Sequence, residues 1–149
     1  MLVEVQVTIA ATREAVWGAI TDIEHAAKII SGIEQIEILD QPASGLVGLK
    51  WRETRMLFGK PATADKWITE AAKNAFYKTR AESDGFVFLS TMAITEHGAG
   101  TTLTSVHDSQ PQSMGAKIMS IPMGLFFKGV AKKALLQDLN DIKLAVEQK

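Results

Sequence analysis

Two opposite charges, Glu53 and Arg55, stand two positions apart in a segment that otherwise alternates apolar and polar residues. Val47, Leu49 and Trp51 fall on one face of the strand that this alternation predicts. We expect this face to be the inner one, and the same parity places Glu53 and Arg55 on it. Charges there are costly unless they are paired or solvated. Two interpretations stay open: polar groups that orient a ligand's carbonyl or hydroxyl in a pocket, or a pair turned outward by a bulge or lying at the wet mouth of a cavity.

Three histidines, His25, His97 and His107, are the imidazoles available for acid–base or metal chemistry. We expect His25 on a helix, His97 in a turn and His107 on the last strand. His107 and its neighbour Asp108 point to opposite faces of a strand, so they cannot share one ion. We therefore predict no metal site.

The composition excludes several classes of function. The 149 residues include 16 Lys and Arg against 17 Asp and Glu, a net charge of −1. A balanced charge disfavours nucleic acid as a partner, because phosphates require a basic face. The absence of cysteine from the sequence excludes disulfides, Cys-ligated zinc, iron–sulfur clusters and thiol nucleophiles. The sequence also lacks a Gly-x-Ser-x-Gly motif, a dinucleotide-binding glycine motif and a phosphate-binding loop, and we predict no cofactor.

Length and hydropathy indicate a single domain, residues 1–149. The most apolar stretch, residues 118–127, is about half the length that a membrane span of about 20 residues needs. No basic region followed by a long apolar run begins the sequence. We therefore expect a cytoplasmic protein without stable membrane insertion. The apolar stretch leads us to expect a monomer or a weak homodimer.

Changes in hydropathy period divide the chain into elements. Residues 3–9 alternate β-branched and polar residues, which predicts a half-buried strand. Thr12 then caps a short helix, and a second short helix ends before Gly32. Strands separated by turn residues follow, near 33–39, 46–58, 62–71, 75–82, 86–95 and 101–109.

A helical pattern runs from near Ser113 to the end of the chain. Apolar residues recur there at helical spacing, at Leu135, Leu139, Ile142 and Val146. The charged residues between them are interpreted as a solvated face: Lys132, Lys133, Asp138, Asp141 and Lys143. Pro122 removes a backbone donor inside this segment, so we expect a kink or break there.

These elements predict an α+β fold, and three motifs carry a resemblance to a known family. The motifs are residues 12–17 with Asp22, residues 48–53, and residues 100–104. The chain resembles the START-like helix-grip superfamily, in its polyketide cyclase/dehydrase and lipid-transport (SRPBCC) branch. The resemblance implies a curved antiparallel sheet of about seven strands wrapped around a long C-terminal helix, with two short helices after the first strand. It also implies an elongated apolar cavity for lipids, sterols, polyketides or other hydrophobic molecules.

The residues expected to bind a ligand come from the predicted strands and from the final helix. Methionine and phenylalanine there suit a cavity lid, because methionine adapts to varied apolar partners. The full set is Trp51, Glu53, Arg55, Trp67, Tyr77, Phe88, Met92, Leu103, Met119, Met123, Phe126 and Phe127.

Three functions remain open at this point. The first is binding or transport of a hydrophobic small molecule. The second is a polyketide cyclase, aromatase or dehydratase-like enzyme, for which His107 is the first candidate acid or base and Glu53 the second, with Arg55 polarising a carbonyl. The third is an interaction protein whose final helix docks on a membrane or a partner.

Overall fold

The computed structural model describes residues 1–57, 59–83, 85–112 and 114–148; for Leu57 and residues 114–127 it describes the backbone alone. Seven strands, three α-helices and one 3-10 turn form within these ranges. In chain order they are β1 (Leu2–Ile9), α1 (Arg13–Thr21), the 3-10 turn (Ile23–His25), α2 (Ala26–Ile29), β2 (Ile33–Asp40), β3 (Lys50–Leu57), β4 (Lys60–Ala72), β5 (Phe76–Ser83), β6 (Phe86–His97), β7 (Gly100–Pro111) and α3 (Met114–Glu147).

All seven strands belong to one curved antiparallel sheet in the order β1-β7-β6-β5-β4-β3-β2. Strands β2 to β7 follow one another as hairpins, and β1 closes the order by pairing with β7. Asn74 (φ 61°) and Gly98 (φ 58°) adopt the left-handed conformation in two of the tight turns, as asparagine and glycine do most readily. The predicted α+β helix-grip fold is confirmed.

The junction between β1 and α1 is fixed by residues of the first and last motifs. The Thr12 hydroxyl accepts a hydrogen bond from the Ala15 amide at 3.1 Å and caps α1. Thr101 on β7 donates to the Ala11 carbonyl at 2.7 Å. A Cβ on Gly100 would lie 2.6 Å from the Ile9 carbonyl oxygen, so only glycine fits there. These motif residues therefore stabilise the junction between β1, α1 and β7.

The long helix α3 packs against β1 and β7. Leu139, Ile142 and Val146 are buried in the core, as their spacing predicts. The backbone is helical on both sides of Pro122, so the helix does not break there, while the alternative of a kink stays a prediction. One missing amide removes a single hydrogen bond, and the neighbouring turns retain theirs. The prediction that Asp138 lies on the solvated face of the helix is wrong, because only 14% of its side chain is exposed.

Candidate functional site

The Glu53 carboxylate lies at the centre of a buried ion network on the inner face of the sheet. It accepts hydrogen bonds from Arg55 Nε at 2.7 Å, from Lys66 Nζ at 2.9 Å and from Trp51 Nε1 at 3.3 Å. Strand β3 pairs with β4 in regular register, and alternation along β3 turns Trp51, Glu53 and Arg55 to the same side. Three donors on one carboxylate compensate for the water that Glu53 loses on burial.

Arg55 extends this network from the sheet to helix α3. Its Nη1 and Nη2 donate to the two oxygens of Asp138 at 3.1 and 2.8 Å, a bidentate pair. Both Asp138 oxygens accept from the guanidinium, so this residue is a carboxylate. Gly32 lies directly against the pair, since a Cβ there would be 3.2 Å from Arg55 Nη1 and 3.6 Å from Asp138 Oδ1.

Burial and charge act in opposite directions on these groups. Burial alone would raise the pKa of Glu53, but the charges and hydrogen bonds of Lys66 and Arg55 lower it to about 2. Burial raises the pKa of Asp138 above its ordinary value, against the lowering effect of Arg55. The pKa of Arg55 is lowered by burial but raised overall by its two carboxylate partners. The network therefore consists of ionised pairs at neutral pH.

A cavity of about 120 Å³ lies beside the network, between the sheet, the short helices and α3. Glu53, Arg55, Lys66 and Asp138 all contribute to its wall. Apolar residues from the helices and from β2 form much of the wall: Ala19, Ile20, Ile23, Ala26, Ile29, Ile30, Ile33, Ile36, Leu135, Leu139 and Ile142. The cavity is thus apolar towards the helices and polar towards the centre of the sheet.

The uncharged polar side chains of the cavity wall come from β5, β6 and β7. Tyr77, Thr79, Ser90 and Ser105 line it. Register places Thr79 opposite Ser90, and Ser90 opposite His107. The Ser90 hydroxyl and His107 Nδ1 are 3.0 Å apart. Burial lowers the pKa of His107, and the charges of nearby cations add to this effect, so the imidazole is neutral at neutral pH.

The structure brings five of the predicted ligand-binding residues to the cavity wall: Trp51, Glu53, Arg55, Tyr77 and Met92. Leu103 is fully buried in the core, and Phe88 stacks on the His107 ring with centroids 5.9 Å apart. Trp67 lies on the opposite face of β4, where Lys50 Nζ is 5.6 Å from its ring centroid. The side chains of Met119, Met123, Phe126 and Phe127 lie outside the described part of the structure.

Lys66 and Asp138 are the site residues that the sequence analysis missed. Ile68 is 1% exposed, and its parity on β4 turns Lys66 inward and Trp67 outward. The prediction that Trp67 binds the ligand requires the opposite phase. Asp138 directly precedes Leu139, the most buried described residue of α3, so it lies at the edge of the apolar stripe. An acidic residue at the edge of the apolar stripe of a helix is the signal that could have identified Asp138.

Neither a metal centre nor a membrane span is found in the described residues. No group of three or more His, Asp or Glu side chains in the described ranges is arranged to hold a metal ion. Among the described residues, no helix is both long enough and apolar enough to cross a membrane.

Solved structures place this architecture among helix-grip proteins. A START superfamily protein from Mycobacterium smegmatis has a TM-score of 0.81 at 20% identity, with 99% of this chain and 97% of that chain covered. The Zhui aromatase/cyclase from a Streptomyces species has a TM-score of 0.77 at 18% identity, with 99% and 94% covered. A protein from Thermus thermophilus has a TM-score of 0.82 at 14% identity, with 98% and 97% covered. At these identities the similarity establishes the fold.

Sequence comparison assigns the family within this class. Residues 2–145 match the family described as polyketide cyclase/dehydrase and lipid transport. The chain belongs to this family, as its three motifs indicated. No curated protein matches the sequence.

Proposed function

We propose that this protein binds a small hydrophobic molecule in the cavity between the sheet and α3, as a carrier or sequestering protein. One observation carries the proposal: most of the residues in the cavity wall are apolar, while its four charged side chains are paired with one another. The volume of about 120 Å³ approaches that of an engineered apolar cavity of about 150 Å³ that binds benzene. The family, which includes lipid transport in its description, supports the same function.

The proposal extends to the whole chain and its setting. We propose that residues 1–149 act as one ligand-binding domain, in the cytoplasm, as a monomer or weak homodimer. Light scattering over a range of concentrations tests the oligomeric state, and cell fractionation tests the location. A concentration-independent tetramer would contradict the proposed oligomeric state. Recovery from a membrane or secreted fraction would contradict the proposed location.

Titration with ethylbenzene tests the binding function. Ala26 lines the cavity from the short helix α2, whereas its neighbour Ala27 does not. Ala26→Phe should fill part of the cavity and weaken ethylbenzene binding by about tenfold or more, since each buried methylene contributes about 0.8 kcal/mol. Ala27→Phe is the matched control and should bind like the wild type. Equal effects of the two substitutions, or no saturable binding to the wild type, would contradict the proposal.

A second candidate function is acid–base catalysis on the bound molecule, as a cyclase or dehydratase. The contact between Ser90 and His107 favours it, because a neutral imidazole beside the cavity can accept a proton. Recovery of the ligand after incubation separates the two functions. A carrier returns its ligand unchanged, whereas an enzyme converts it, and His107→Gln should then abolish the conversion without abolishing binding.

A further inference from the structure

We propose that the cavity selects neutral molecules with a hydrogen-bond-accepting oxygen and discriminates against carboxylates, with Lys66 and Thr79 as the specificity-determining residues. The inference rests on the proposed function, since it assumes that the cavity holds a small hydrophobic molecule. It adds the chemical class of that molecule and the way it is oriented.

The first argument is the charge balance of the cavity wall. Two carboxylates, Glu53 and Asp138, face two cations, Arg55 and Lys66, so the formal charges cancel. The guanidinium is engaged on three nitrogens, by Nε to Glu53 and by Nη1 and Nη2 to Asp138. A ligand carboxylate would add a buried negative charge next to Glu53 with no uncommitted counter-charge. Such a charge is strongly disfavoured.

The second argument is the set of hydrogen-bond donors that the cavity leaves available. Tyr77, Thr79 and Ser105 line the cavity, and no hydrogen bond within the described ranges involves their hydroxyls. Lys66 Nζ has three N–H donors, and Glu53 is its one partner among the described residues. Polar groups that lose water without gaining a partner are costly. A ligand oxygen would satisfy them, whereas a hydrocarbon would not.

The register brings two of these donors, Lys66 and Thr79, close together. Thr79 on β5 lies opposite Ile68 on β4, two residues from Lys66 on the same face. A diagonal cross-strand neighbour at this offset is within reach of a long side chain. Ser105 on β7 lies opposite Met92 and is two strands away from Thr79, so it lines a different part of the cavity. The isoleucines of the short helices lie towards the other side of the cavity, so a bound molecule would point its oxygen at the sheet and its hydrocarbon part at the helices.

Three probes of nearly equal size test the inference by calorimetric titration at neutral pH: ethylbenzene, acetophenone and benzoate. Acetophenone should bind about tenfold more tightly than ethylbenzene, as one satisfied hydrogen bond of about 1.5 kcal/mol predicts. Benzoate, which differs from acetophenone mainly by its charge, should bind most weakly. If benzoate binds as tightly as acetophenone, or ethylbenzene equals acetophenone, the inference is wrong while the binding function stands. If none of the three binds, both proposals fail.

Two substitutions and a matched control sharpen the test. Asp138→Asn leaves one uncompensated positive charge and should tighten benzoate binding by about tenfold, with little change for acetophenone. Asp65→Asn removes a carboxylate from the outer face and is the matched control, for which all three affinities should stay at wild-type values. Thr79→Val keeps the shape of the side chain and should reduce the preference for acetophenone over ethylbenzene several-fold. An unchanged preference in Thr79→Val together with unchanged benzoate binding in Asp138→Asn would overturn the inference.

Discussion

Strand β3 carries two arginines to opposite faces of the sheet, and their ion pairs have nearly the same geometry. On the outer face Arg52 lies 2.8 Å from Asp65. On the inner face Arg55 lies 2.7 Å from Glu53 and 2.8 Å from Asp138. The difference is burial: the side chains of Arg52 and Asp65 are 46% and 37% exposed, whereas that of Glu53 is 7% exposed.

This contrast shows that distance alone does not determine the contribution of an ion pair. Water screens and competes with the outer pair, so its loss changes little. The inner groups have given up water, and each depends on its partners for compensation. The inner network is therefore expected to govern stability, acid sensitivity and the charge of the cavity, while the outer pair governs none of them.

Removal of the Arg55 guanidinium should have the largest effect. Arg55→Met leaves two buried carboxylates without their shared cation and should lower the free energy of unfolding by about 3–5 kcal/mol. Arg52→Met removes the same group from the outer face, and its urea midpoint should match that of the wild type. Equal losses in the two variants would break the contrast between the faces.

Acid should reveal the same difference. Because the pKa of Glu53 is lowered from 4.5 to about 2 in the folded protein, its stabilisation is complete above pH 4.5 and is lost as the pH falls towards 2. The expected loss is about 3 kcal/mol. The raised pKa of Asp138 acts in the opposite sense, so the difference between wild type and Glu53→Gln is the quantity to follow. That difference should shrink over this window; a constant difference would contradict the account. Asp65→Asn serves as the outer-face control and should follow the wild-type profile.

A double-mutant cycle measures the coupling within the network. Glu53→Gln and Arg55→Met should together cost less than the sum of the single changes, with a coupling energy of roughly 0.5–3 kcal/mol. A parallel cycle on Arg52 and Asp65 should be additive. Additive behaviour on both faces would show that Glu53 and Arg55 do not depend on each other.

Gly32→Ala should produce the smallest effect. The new methyl would press on Arg55 and Asp138 where their side chains meet, and we expect a loss of about 1 kcal/mol. Gly18 is the control, since nothing lies within 4 Å of a Cβ on this α1 residue. Gly18→Ala should stabilise the helix by about 0.5–1 kcal/mol. If Gly32→Ala stabilised the protein as Gly18→Ala does, the methyl group would not press on Arg55 and Asp138.

Local patterns explain why the fold was predictable from sequence. The alternation of residues 3–9, the Thr12 cap and the spacing of Leu139, Ile142 and Val146 are short-range features, and each element forms where they predict it. Strand parity also turned Glu53 and Arg55 inward, as the structure has them.

The rest of the site depends on contacts between residues far apart in the chain. Asp138 meets Arg55 across 83 positions, and no periodicity reports how α3 is rotated against the sheet. On β4, whether Lys66 or Trp67 faces inward depends on which neighbouring residues are buried. Only the assembled sheet determines that. The cavity volume depends likewise on how far the helices stand from the sheet.

The most direct test of ligand binding is a set of intermolecular nuclear Overhauser effects from bound acetophenone to protein methyl groups. We predict contacts to Ile23, Ile36 and Thr79, which line the cavity on different sides. Contacts confined to exposed apolar residues such as Leu2 or Leu144, or none under saturating probe, would contradict the claim that this cavity is the binding site.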